Sequence, residues 1–287
     1  MKTIARSGSW IVFLGALLWS LNSPLIKAME GVDSLFITTL RSAIAGVALL
    51  PFLRLSKQRL SVWTAVYAVS YTVLCFSVVY TLSLTSAPIA IGMQYTAAIW
   101  LFVAGVVATG RIKKQALPPL AVITAGVILF MCSGLGGATN MRGNLIALTE
   151  GITFALASVS SKKASGKNPL GLVAIANLFA AVAGFLILSF TPRSFAAHLH
   201  SLDGRQWMVM LVLGIVQCAG GYAAYNVGLQ YVTAQRASIL AMWEMILGPV
   251  WVALFLHEIP SVLEIIGLLF IFVGVYLETR RKTETDS

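Results

Sequence analysis

Apolar residues in this chain gather in long stretches and do not alternate with polar ones. Runs can be marked at 10–28, 34–53, 62–83, 88–109, 117–134, 143–162, 169–190, 206–230, 232–256 and 259–279. Each is about 18 to 25 residues long, enough for a helix rising 1.5 Å per residue to cross roughly 30 Å of hydrocarbon. Barrel strands would instead be about ten residues of strict alternation, and no such pattern is visible. The pattern therefore predicts an all-α integral membrane protein of ten transmembrane helices. The longest connection, Thr191 to Arg205, is too short for a second, soluble domain. Lys2 and Arg6 precede the first run as they would in a signal peptide, but that run is too long and lacks a small-x-small cleavage site, so it is expected to persist as a helix.

Composition agrees: of 287 residues, 58% are hydrophobic and only 10% charged, with a mean hydropathy of +0.87. A soluble domain carries about 25% charged residues. The net charge of +10 does not imply a nucleic-acid partner, because too little chain lies outside the apolar runs to build a basic domain. Its distribution matters more. With the amino terminus inside, alternate segments hold 15 basic residues on the cytoplasmic side and only Arg142, Arg193 and Arg205 outside. That asymmetry predicts cytoplasmic termini in a cell membrane. Cys75, Cys132 and Cys218 lie within apolar runs at unrelated spacings and read as small buried hydrophobes.

The chain also matches itself. Residues 82–111 lie without gaps on residues 229–258 at an offset of 147, pairing Leu82 with Leu229 and Ala90 with Ala237; Gly126-Val127 pairs with Gly274-Val275 at 148, and Ser23 and Lys27 pair with Ser158 and Lys162 at 135. Five helices per half, an odd number, would place the halves in opposite orientations, as in inverted-repeat carriers whose sites lie near the midplane.

Three stretches carry a family resemblance. "LGALLWSLNSPLIKAM" resembles the opening helix of the EamA repeat, "LSLTSAPIAIG" its third-to-fourth helix junction, and "ILAMWEMILGPVWVALFLHE" the second-repeat signature. The sequence departs from that pattern at Met245, where Pro is usual, at His257, where Gly is usual, and at Arg111, where Glu is usual. The resemblance spans essentially the whole chain and identifies it as a member of the drug/metabolite transporter superfamily. It implies two EamA repeats, 10–134 and 143–279. The third, fourth, eighth and ninth helices would be central, the first and sixth beside them, and the fifth and tenth peripheral. The implied activity is secondary transport of small metabolites.

Intramembrane polar residues are the candidate chemistry, because each needs a partner or a pathway. Glu244 lies halfway along the ninth run; Gln94 and Ala97 correspond to Ala241 and Glu244, so one face of each of two helices would converge at midplane. Glu244 is read either as a substrate ligand or as a hydrogen-bonded helix tie. Glu150, seven residues into the sixth run, is read as a site residue or as the ion-pair partner of Lys27 or Arg41; those two are otherwise expected to snorkel or pair structurally. Trp19, Tyr95, Tyr222, Tyr225 and Trp243 with Asn22 and Gln217 complete the candidate site. Aromatic faces, amides and one carboxylate suit a polar solute bearing an amino group. Amino acids or related amines therefore rank above sugars and nucleotide sugars, and a partner-dependent membrane subunit without transport of its own is the rival class.

No enzyme signature is present, and no cofactor or metal is expected. His198 and His200 give only an i, i+2 pair. "GLGGA" at 134–138 lacks the strand and helix of a dinucleotide fingerprint and reads as a turn.

Overall fold

The computed structural model describes residues 2–53, 60–84, 87–112, 114–133, 141–164, 166, 168–191, 195–256 and 260–280. The glycine-rich 134–138 stretch, His257 and basic loop residues such as Arg54, Lys57, Lys113 and Arg193 lie outside them. Among the described residues the fold is helical with no strand. Nine helices among the described residues are long and apolar enough to cross a membrane: α1 (Ser7–Lys27), α2 (Ser34–Phe52), α3 (Val62–Leu84), α4 (Ile89–Thr109), α5 (Lys114–Ser133), α6 (Met141–Ala164), α7 (Pro169–Leu188), α8 (Gly204–Leu229) and α9 (Ala234–Phe255). The tenth expected run folds as α10 (Val262–Arg280).

Helix starts follow local chemistry. Asp33 accepts from Phe36 N at 2.9 Å ahead of α2, and Thr233 from Arg236 N at 3.2 Å ahead of α9. Asn168 accepts from Gly171 N at 3.1 Å, with Pro169 in the first turn of α7, where its missing N–H costs nothing. Asp203 and Gln206 form a reciprocal capping box at the start of α8.

The helices pack in pairs: α3 along α6, α2 along α7, α1 along α8 and α5 along α10. Small residues set the distance between the last two. A Cβ on Gly267 would sit 2.7 Å from Phe130 N, and one on Gly126 2.8 Å from Gly267 O, so the α5 and α10 backbones touch. On the outside, Val107, Phe190, Leu254, Phe255 and Leu269 are exposed. Lipid can cover such a surface at no cost; in water it would be a large apolar patch.

Several membrane-length helices depart from continuous α-winding. In α9, Met245 N bonds Met242 O at 2.9 Å, and so does not serve Ala241, four residues back. In α4, Ile99 N likewise bonds Thr96 O at 2.9 Å. Helix α1 is interrupted after Trp19 and resumes at Asn22. Helix α8 is wound as a π-helix over Val212–Gly220. Each irregularity leaves backbone groups without their usual partners and turns side chains off the regular stripe.

Candidate functional site

All four irregular helices meet around one interior cavity. Trp19 and Asn22 reach it from either side of the break in α1. Gln94 stands just before the break in α4, Gln217 within the π-turns of α8, Tyr222 one residue beyond Gly221, and Glu244 just after the break in α9. Helices α2 and α3 add Arg41, Cys75 and Val78. The space is about 10 Å³, room for about one water, so it is too small for an organic solute in this conformation.

The break in α9 organises one wall. Without its usual donor, the Ala241 carbonyl faces Tyr95, whose hydroxyl lies 2.9 Å away and also contacts Glu244 Oε2 in a short hydrogen bond. Gln94 lines the cavity beside the same carboxylate. A continuous helix would bury Ala241 O in its own ladder and leave Tyr95 without this backbone acceptor.

Arg41 lines the same cavity from α2. It is about 10 Å along α2 from Ser34 and 2% exposed. Its Nη1 donates to Asn22 Oδ1 at 3.0 Å and its Nη2 to the Cys75 carbonyl at 3.3 Å. Arg41 and Glu244 bring opposite charges to the lining of one cavity. Three buried polar atoms on residues lining this space have no hydrogen-bond partner among the described residues: Trp19 Nε1, Arg41 Nε and Gln217 Oε1. Orphaned groups normally cost about 1–3 kcal/mol each, so three of them on residues around one cavity are groups that an incoming water or polar ligand would pair.

Beyond Cys75 the space is sealed by a polar ladder between α3, α6, α7 and α8. Tyr71 Oη donates to Asn177 Oδ1 at 2.8 Å and lies 3.3 Å from Cys218 Sγ; Cys75 Sγ donates to Tyr222 Oη at 3.5 Å. Farther along, Asn226 Nδ2 donates to Tyr67 Oη at 3.1 Å, Ser161 contacts Asn226 Oδ1, and Ser158 pairs with Tyr225 Oη at 2.8 Å. Trp19 rests on this floor, its ring 4.6 Å from Tyr222 and 4.9 Å from Tyr225.

Of the residues singled out in the sequence, Trp19, Asn22, Gln94, Gln217, Tyr222 and Glu244 line the cavity, with Tyr95 and Tyr225 packed immediately behind. Two do not come together with them. Trp243 packs edge-on against Phe13 at 5.3 Å and Phe272 at 5.6 Å; neighbours on a helix point about 100° apart, so it cannot share the face of Glu244. Glu150 is fully buried between α6 and α3, where Thr81 Oγ1 donates to its Oε1 at 2.6 Å; it neither lines the cavity nor pairs with Arg41. Its other oxygen has no partner among the described residues. Arg41, Cys75 and Val78 were missed. For Arg41 a signal existed: Thr38, Arg41, Ser42 and Ala45 form one small-and-polar stripe, which marks a buried face and not a snorkelling one.

No group of three or more metal-ligating residues occurs among the described residues. His198 is buried and stacks on Phe36 at 5.0 Å between centroids.

Comparison with known proteins places this geometry. Residues 6–132 and 141–280 each match the EamA-like transporter family. A protein described as an uncharacterized transporter from Archaeoglobus fulgidus is 25% identical over 279 residues, covering 96% of this chain and 97% of that one. Another with the same description, from Clostridium kluyveri, is 25% identical over 215 residues, covering 72% and 67%. A solved crystal structure superposes with a TM-score of 0.77 at 19% identity over 96% of both chains, a likeness of fold.

Proposed function

Because the chain belongs to the EamA-like transporter family, and is thus an integral membrane transporter, we propose that it is a secondary carrier that exports small organic metabolites, amino acids or related amines, across the cell membrane. The observation that carries this reading is the narrow cavity lined by three residues with unpartnered buried polar atoms and by one carboxylate, Glu244, at the breaks of the surrounding helices. Discontinuous helices flanking a central site are a recurring device of secondary transporters. Sugars phosphorylated or carried on nucleotides rank lower, since Arg41 is the one basic side chain among the described cavity residues.

In this reading ten helices form two inverted five-helix repeats, 10–134 and 143–279, with both termini cytoplasmic. Reciprocal contacts support it. Tyr71 meets Cys218 and Cys75 meets Tyr222, each pair 147 residues apart. Gly126 packs on Ile271 while Gly274 packs on Ile123, the same contact with the partners exchanged. A pseudo-twofold axis produces such swapped pairs. Trp19, Asn22, Gln94, Gln217, Tyr222 and Glu244 form the substrate surface.

The test is efflux from proteoliposomes containing the purified chain alone, loaded with a panel of amino acids, amines and sugars. Export of at least one amino acid or amine above protein-free vesicles is expected. No movement of any solute, together with a stoichiometric membrane partner in the preparation, would favour a partner-dependent subunit instead.

A further inference from the structure

The carrier reading leaves open whether the substrate's amino group comes with an acid group, and the cavity's unsatisfied atoms speak to that. Two are donors, Trp19 Nε1 and Arg41 Nε, and one is an acceptor, Gln217 Oε1. Arg41 spends one N–H of each Nη on Asn22 and the Cys75 carbonyl. Its Nε–H stays unengaged, a charged donor suited to a carboxylate. The indole N–H of Trp19 can only donate. About 10 Å³ admits about one water, and a neutral water brings no countercharge to Arg41 or Glu244.

We propose that Arg41 is a specificity-determining residue that, with Trp19, receives the carboxylate of a zwitterionic substrate, while Gln217 and Glu244 receive its ammonium. The inference rests on the carrier reading and narrows it, from amino acids or amines to amino acids. A carboxylate brings only acceptors and an ammonium only donors, so a zwitterion answers all three orphaned atoms and the Glu244 charge together. A plain amine leaves Arg41 and Trp19 unanswered. A plain acid sets a second anion beside Glu244. Loading requires the walls to part, and the interruptions of α1, α4 and α9 lie beside the groups concerned.

The experiment is isothermal titration of the full chain in lipid nanodiscs with the twenty common L-amino acids, followed, for each binder, by its decarboxylated amine and its carboxamide. In the unmodified protein, amine and amide should bind at least about tenfold more weakly than the amino acid, the loss of one charge-assisted contact. In Arg41→Gln the amino acid should weaken about ten- to a hundredfold and the amine by less than threefold, so that the preference collapses. Arg41→Lys, which keeps the charge without the Nε–H, should fall between. Equal binding of amine and amino acid by the unmodified protein would overturn the proposal even if Arg41→Gln failed to fold. So would equal weakening of both ligands in Arg41→Gln, which would make Arg41 a structural counter-charge to Glu244. If no amino acid binds but the vesicle panel shows another solute exported, this inference fails and the carrier stands. If no solute is exported at all, the carrier reading falls with it.

Discussion

Gly220 and Gly221 are adjacent in α8, yet alanine should act oppositely at the two. A Cβ on Gly221 would lie 2.5 Å from Trp19 Cδ1 and 2.6 Å from Trp19 Nε1, whereas ordinary contact begins at 3.4 Å. The indole must therefore withdraw by roughly 1 Å, the scale at which overpacking costs about 1–3 kcal/mol. It has little freedom to do so. Tyr222, Tyr225 and Phe154 stand 4.6, 4.9 and 6.0 Å from it, centroid to centroid, and the remaining side is the narrow cavity. Replacing a helical glycine returns about 0.5–1 kcal/mol. Gly221→Ala should therefore lose about 1–2 kcal/mol net, a fall of a few degrees in the melting midpoint of the purified protein. The displaced Trp19 donor should also weaken substrate binding about tenfold, the worth of one hydrogen bond of about 1–1.5 kcal/mol. At Gly220 the nearest atoms would be the flexible end of Leu18 at 3.2 Å and Ile215 O at 3.5 Å. Gly220→Ala should melt no lower than the parent and transport normally. Thermal melts and vesicle transport of both variants decide the matter, and a Gly221→Ala protein indistinguishable from Gly220→Ala in both would refute the close packing of Trp19 on α8.

Glu150→Gln keeps an oxygen to accept from Thr81 and should change transport less than threefold, whereas Glu150→Leu strands the Thr81 contact and should lower the melting midpoint; a transport defect in a stable Glu150→Gln would return Glu150 to the site. At the α5–α10 contact, Gly267→Ala should destabilise by about 1–3 kcal/mol in a thermal melt, because its Cβ would meet Phe130 N at 2.7 Å. Gly105→Ala, with nothing within 4 Å, should be neutral or stabilising. A reporter active only in cytoplasm should be bright after Ser287 and dark near His200, and the reverse would refute the proposed orientation.

Hydrophobic runs were enough to place the helices closely: the 62–83 run became Val62–Leu84 and the 232–256 run Ala234–Phe255. The breaks at Thr96 and Met242 were not legible, because an apolar run reads the same whether its backbone bonds skip four residues or three. Those breaks bring Ala241 O to Tyr95. Glu150's place was not legible either: a lone carboxylate in an apolar run reads the same whether it lines a cavity or, as here, packs on α3 with Thr81 as its partner. For Arg41, expected to snorkel or pair structurally, the polarity of the neighbours sharing its face was the better guide.

The central claim is that the cavity bounded by Arg41 and Glu244 is where substrate binds, and exchange in proteoliposomes by Glu244→Gln tests it most directly. Glutamine preserves size and can still accept from Tyr95 Oη, so the fold should survive. Exchange of labelled for unlabelled substrate moves no net proton, so loss of a coupling group alone would leave it intact. With Glu244 as a ligand, Glu244→Gln in a normally folded protein should lower substrate affinity about ten- to a hundredfold, the loss of roughly 1.5–3 kcal/mol, and exchange at low substrate should fall in proportion. Undiminished exchange and affinity in a folded Glu244→Gln protein would contradict the account.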